Sequence, residues 1–230
     1  MKKNIIIAIS LIIVVAVMSL VIINMKTDEP KPALTADEIK FKNEYESLNG
    51  TEYKENYVLK NIEIVNDNNV EYVNDDKLLE LLTNGTNVIY MGWPECNWCR
   101  TVVPVLINTL KSNDIKTLYY YNLKSLRNAY EEDNDIKKVE LYEKIVEILG
   151  DDIEATYDEG SLKEGKKKLL APTVIFTKDG NYIGSHVSTV PTHTNASDNL
   201  TEPEEKELKG IYQGFIDQIN PNICVDDEGC

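Results

Sequence analysis

Asn87-Val88-Ile89-Tyr90-Met91-Gly92-Trp93-Pro94-Glu95-Cys96-Asn97-Trp98-Cys99-Arg100 is the stretch that decides how this chain is read. Its first half, rich in Val, Ile, Tyr and Met, reads as a buried strand. Val102, Val103, Leu106, Ile107 and Leu110 beyond it read as an apolar helix, with Pro104 inside where it removes a hydrogen bond and bends the axis. Cys96 and Cys99 therefore fall at a strand-to-helix turn. Unpaired N–H groups and the macrodipole at a helix N-terminus favour negative charge, so a cysteine there gains thiolate character.

Toward the N-terminus, Asn74 or Asp75 caps a helix bearing Leu78, Leu79, Leu81 and Leu82 and stopped at Gly85. Tyr57 to Val65 and Val70 to Val73 read as short strands around an Asn66-Asp67-Asn68-Asn69 turn. Phe41, Tyr45 and Leu48, at i, i+4 and i+7, predict a helix over 36–48 that packs on the domain and ends at Asn49-Gly50. Toward the C-terminus, Ile115 to Leu123 is the next strand. Ser125 to Lys168 is mostly helical in pattern, with Ile136, Val139, Tyr142, Ile145, Ile148 and Leu149 on its apolar face and Gly150 as a stop. Thr173 to Thr177 and Tyr182 to Val187 form a hairpin about Asp179-Gly180. A polar loop from Ser188 to Asn199 leads to the capping box Thr201-Glu202-Pro203-Glu204, which opens a last helix to about Ile219. The alternation of strands and helices argues for an α/β core with parallel central strands.

The chain has 230 residues, 42% of them hydrophobic, enough for one sizeable core. Its net charge of −15 speaks against nucleic-acid binding, which needs clustered Lys and Arg. Ile5 to Ile23 is uncharged and follows Lys2 and Lys3; as a helix it would span ~28 Å, about a bilayer's hydrocarbon thickness. The positive flank predicts a cytoplasmic N-terminus and a globular part outside. A cleaved signal peptide is the alternative, but Asn24-Met25-Lys26-Thr27 offers no small-x-small site. A single-pass signal anchor in the cell membrane is thus the expectation. It places the domain where disulfides persist.

Cys96-Asn97-Trp98-Cys99 after a buried strand, Pro104 five positions past the second cysteine, and Ala171-Pro172-Thr173 before the hairpin carry a resemblance. The chain resembles the membrane-anchored bacterial thioredoxin-like family, near the bacteriocin transport accessory type. The resemblance implies a thioredoxin-like α/β fold, here with an N-terminal extension and a helical insertion, preceded by one transmembrane helix. The expected layout is an anchor over 1–25, a linker over 26–35, the extension over 36–69, the thioredoxin-like domain over 70–219 with its insertion at about 125–168, and a tail over 220–230. It also implies that Cys96 is an exposed nucleophile, Cys99 the resolving thiol, and Pro172 a cis-proline facing them. Trp98, Ala171, Pro172 and Thr173 would meet substrate. Protein or peptide thiols and disulfides would be the partners, through an extracytoplasmic thiol–disulfide oxidoreductase that needs no cofactor.

Three departures leave the direction of exchange unassigned. Tyr90 stands where thioredoxins commonly bury an aspartate. Glu95, beside Cys96, would raise that thiol's pKa. Asn97-Trp98 matches neither the Gly-Pro of reducing members nor the Pro-His of strong oxidases. Cys224 and Cys230 read as a structural disulfide closing a small loop. The alternative function is a non-catalytic module of the same fold, a peptide-export accessory factor or a metal carrier, for which His186 and His193 could join Cys96 and Cys99 in a tetrahedral site.

Overall fold

The computed structural model describes residues 33–220. In chain order its elements are α1 (Ala36–Glu46), β1 (Glu52–Lys54), β2 (Tyr57–Val58), β3 (Val70–Tyr72), α2 (Asp75–Thr83), β4 (Asn87–Gly92), α3 (Asn97–Ser112), β5 (Leu118–Asn122), α4 (Leu123–Glu132), α5 (Ile136–Leu149), a 3-10 turn (Gly150–Asp152), β6 (Thr173–Lys178), β7 (Asn181–Val187) and α6 (Glu202–Ile219). The expected anchor over Ile5–Ile23 and the Cys224/Cys230 pair lie outside the described residues. No helix among the described residues is long and apolar enough to cross a membrane.

Strand β4 is central in a five-stranded sheet of order β3-β5-β4-β6-β7, parallel to β5 and antiparallel to β6. Side chains alternate across a strand, so an unbroken apolar run buries both of its faces. Val88 and Tyr90 point to one side, with Tyr120, Val174 and Phe176, against α1, α3 and α6. Ile89 and Met91 point to the other, with Tyr121 and Ile175, against α2, α4 and α5. The result is a mixed α/β fold of thioredoxin-like topology with extra helices, and its central parallel strands match the expectation.

Helix α1 belongs to this core. Its capping box closes with the Thr35 hydroxyl accepting from the Glu38 amide at 3.1 Å and the Glu38 carboxylate accepting from the Thr35 amide at 2.7 Å. Phe41 then sits edge-on to Tyr120, ring centroids 5.0 Å apart, and Tyr45 lies beneath β4.

Two sequence expectations are corrected. Tyr57 to Val65 is a strand only at Tyr57–Val58, which pairs with β1. Beyond it, side chains replace the missing neighbour strand: the Lys60 amide donates to Asn97 Oδ1 (2.9 Å), the Ile62 amide to Asn49 Oδ1 (3.0 Å) and the Ile64 amide to Glu46 Oε1 (2.7 Å). The helical pattern read over 125–168 is α4 and α5, with α5 stopping at Gly150 as read, and the part beyond it is corrected to an irregular segment. After α5 the chain passes Gly150, Gly160 and Gly165, all at positive φ, and is held by the Thr156–Lys167 bridge and by the Leu169 amide donating to the Tyr142 hydroxyl at 2.7 Å.

Arg100 ties the extension to α3. Its guanidinium is fully buried and donates to the carbonyls of Lys60 (2.7 Å), Tyr45 (2.8 Å) and Pro94 (3.1 Å) and to Asn49 Oδ1. One side chain thus joins the end of α1, the irregular segment and the loop before Cys96. Arg100→Leu should leave these acceptors unsatisfied and cost about 3 kcal/mol or more. Urea denaturation checks this, and a loss under about 0.5 kcal/mol would refute the anchoring role.

Candidate active site

Cys96 is the N-cap of α3. Its backbone is extended (φ −101°, ψ 114°) and its sulfur accepts from the Cys99 amide at 3.3 Å, the bond a serine or aspartate oxygen makes at other helix starts. The sulfur also lies 3.7 Å from the Ala171 carbonyl oxygen, to which the protonated thiol donates. Both cysteines are free thiols. Cys96 keeps 8% of its surface and Cys99 none, so the cysteine expected to be the nucleophile is the more accessible of the two but is recessed rather than exposed.

The two thiols are pushed apart in acidity. Cys96 is lowered from the ordinary thiol value, first by the hydrogen bond from the Cys99 thiol, then by the amides of Cys99 and Trp98 and the charge of Arg127; burial opposes these. Cys99 is raised well above it, first by burial and then by Cys96 beside it. Glu95, beside Cys96, is ion-paired: Lys124, from α4, meets its carboxylate at 2.9 Å, and it is not among the largest influences on the Cys96 thiol.

Beneath Cys99 stands Tyr90 in place of an acidic residue. Its hydroxyl lowers the Cys99 pKa against the stronger effect of burial, and Tyr45 meets the same hydroxyl at 2.8 Å. Both phenols are fully buried, and burial raises their pKa values so that they stay protonated. Gly92 makes room for this: a Cβ on it would stand 2.2 Å from the Tyr90 hydroxyl oxygen.

The intervening pair is asymmetric. Asn97 is fully buried under the extension, its amide donating to the Tyr57 hydroxyl (3.0 Å) and its Nδ2 to the Val58 carbonyl (3.0 Å). Trp98 is half-buried, with the ring edge-on to His193 at 5.5 Å. The Ala171–Pro172 bond is cis and lies next to Cys96 through the Ala171 carbonyl. Thr173 is buried; its hydroxyl donates to the Leu170 carbonyl at 2.7 Å, and its backbone pairs with Met91 and Val187. The structure therefore brings Cys96, Cys99, Trp98 and Ala171 together. The described residues contain no group of three or more His, Cys, Asp or Glu that could hold a metal ion. His186 Nε2 instead meets the Thr189 carbonyl at 2.8 Å.

Sequence reasoning missed Arg127, Lys124 and Arg100. Arg127 stacks on Trp93, its guanidinium carbon 4.7 Å from the ring centroid, which fixes a cation near Cys96. Only Arg100 left a signal, as a lone cation in an otherwise apolar helix start.

Strand order, a cysteine capping the helix after the central strand, and a second thiol buried beneath it define a thioredoxin-like fold with a CxxC pair at its strand-to-helix junction, an arrangement consistent with redox function. No protein-family model matches the chain, and no curated protein matches it. Among solved structures it is similar to a thioredoxin from Aeropyrum pernix, at 16% identity and a TM-score of 0.32, over 53% of this chain and 77% of that one.

Because Arg127 favours the Cys96 thiolate, Arg127→Gln should raise the pH midpoint of Cys96 alkylation by iodoacetamide, and an unchanged midpoint would contradict the assignment. In the parent chain that midpoint should lie below the ~8.5 of a free cysteine. The sign for stability follows: a lowered folded pKa stabilises the reduced fold at pH above the unfolded value, and that contribution fades as pH falls through the folded one.

Proposed function

We propose that the chain is a thiol–disulfide oxidoreductase acting on protein or peptide cysteines through Cys96 and Cys99. The observation that carries this reading is Cys96 as N-cap of α3, its acidity raised, directly beside a fully buried second thiol. In the reducing direction the Cys96 thiolate attacks one sulfur of a substrate disulfide. A Cys96–substrate bond forms, the substrate S–S bond breaks, and the other sulfur leaves as thiolate and takes up a proton. Cys99 then gives up its proton and attacks the Cys96 sulfur, forming the Cys96–Cys99 disulfide and expelling the first substrate sulfur. Two electrons and two protons pass to the substrate. Oxidation of a substrate dithiol is the same sequence reversed, and the reduction potential sets the direction.

Tyr90 serves the second step. As Cys99 becomes a thiolate in a dry interior, the Tyr90 hydroxyl donates to it. Tyr90 has one proton to give, so Tyr45 then donates to Tyr90. A carboxylate there would accept the Cys99 proton, whereas a phenol stabilises the anion without taking its proton.

The uncharged Ile5–Ile23 run behind Lys2 and Lys3 supports a domain tethered outside the cytoplasm of a bacterial cell, and the resemblance to bacteriocin transport accessory proteins supports a role beside peptide export. In intact cells a membrane-impermeant maleimide should then label Cys96; labelling only after lysis would overturn the placement.

Cys99→Ser should trap mixed disulfides through Cys96. No trapped species, together with no insulin reduction and no dithiol oxidation by the parent chain, would leave the exchange reading without support. Tyr90→Phe should slow resolution of the mixed disulfide about tenfold or more, the scale of a hydrogen bond to a charged group, while its formation at Cys96 changes little. Stopped-flow traces resolving the two phases distinguish this from general loss of structure, which would slow both.

A further inference from the structure

A groove of about 1110 Å³ lies between the chain after α5 and strand β7, and nothing in the exchange chemistry uses it. It reaches the cysteines by two routes. Leu170 lines it one residue before Ala171, whose carbonyl oxygen is 3.7 Å from the Cys96 sulfur. His193 also lines it, and its ring is packed edge-on to Trp98.

We propose that this groove binds an extended, cationic polypeptide segment adjoining the cysteine undergoing exchange, so that substrates are selected by basic residues beyond their reacting sulfur. The proposal rests on the exchange activity proposed above. Four observations carry it. First, among the described residues β7 is the edge of the sheet and has β6 as its one neighbour. Residues 183–187 all line the groove, a length of ~16 Å at about 3.3 Å per residue, and an added strand pairs with such an edge through its backbone. Second, the His193 side chain is 4% exposed, yet its Nε2 has no hydrogen-bond partner among the described residues. The imidazole is held between Trp98 and Glu204, whose carboxylate lies 3.9 Å from Nδ1, so a segment lying along this wall adjoins a polar ring as well as the strand edge.

Third, the facing wall carries Asp151, Asp152 and Glu154 against Lys168. Lys168 lies over the Tyr157 ring at 4.9 Å, and Lys167, 3.6 Å from Asp151, answers part of the charge. The wall stays net negative. Fourth, the whole chain at −15 attracts cations and repels acidic segments. That sign disfavours two other occupants, a second copy of the chain and its own tail, which carries Asp226-Asp227-Glu228.

The test uses the reduced full-length chain and three disulfide probes: neutral dithiodipyridine, and two peptides bearing the same activated cysteine with either Lys/Arg or Glu flanks. The cationic peptide should exceed the anionic one about tenfold in kcat/KM, the order of two exposed ion pairs. The gap should collapse near 1 M salt, where the screening length is about 3 Å. Asp152→Asn with Glu154→Gln should shrink it to about twofold, and N-methylation of the cationic flank should slow reaction several-fold because it removes backbone donors. Equal rates for the two peptides, with dithiodipyridine still reduced, would overturn the groove and leave the exchange reading standing. If dithiodipyridine is inert as well, both fall. A disulfide between Cys96 and Cys224 or Cys230 that blocks the cationic peptide would overturn the proposal in favour of the tail. Concentration-dependent self-association that blocks it would do so in favour of a second copy.

Discussion

The site depends on one hydrogen bond, from the Cys99 amide to the Cys96 sulfur at 3.3 Å. A helix start leaves N–H groups unpaired, and most helices satisfy one of them with an oxygen. Here a sulfur has that place, so the feature that ends the turn and begins α3 is also the atom proposed to react, and anything that moves the helix start moves it. That explains the hydrogen bonding around it: Arg100 holds the Pro94 carbonyl from behind, and Tyr57 and Val58 hold Asn97 from the side.

The chemistry below the cysteines follows from the sheet. Tyr90 is in register with Tyr120 on β5 and Val174 on β6, so its ring is confined on both sides and stacks on Tyr120 with centroids 5.5 Å apart. Its hydroxyl meets that of Tyr45 and acts on the Cys99 thiol. The extension is therefore more than an appendage, because α1 supplies the second hydroxyl. A neutral donor pair also spares the interior a buried charge while both thiols are protonated, which an ionised carboxylate would impose.

Features governed by neighbours in sequence were legible. The apolar run of β4, the Asn74 and Thr201 caps, the Asp179-Gly180 turn and the spacing of Cys96 and Cys99 are local chemistry, and each falls where it was read. Features governed by distant partners were not. Leu59 to Val65 has strand-like composition, yet Glu46, Asn49, Asn97 and Arg100 take up its backbone groups. Glu95 reads in sequence as a lone charge beside Cys96, because its partner Lys124 lies 29 positions away. The stop of α5 at Gly150 was legible, whereas the course of the chain beyond it, through Gly160 and Gly165 at positive φ, is announced by no pattern of apolar residues.

These distant contacts also make the site one-sided. A CxxC dipeptide exposed on both flanks could meet a substrate from either. Here the Asn97 flank is sealed by β2 and the segment after it, so access runs along the Trp98 and Ala171 flank. Cys96, with only 8% of its surface open, cannot be reached by a broad rigid surface. What fits is a narrow segment that presents one sulfur and lies flat beside it. Under the proposed exchange, the recess would therefore favour extended or locally unfolded polypeptide before any side chain of the partner is read, because the Cys96 sulfur, fixed as a helix cap, lies at its floor.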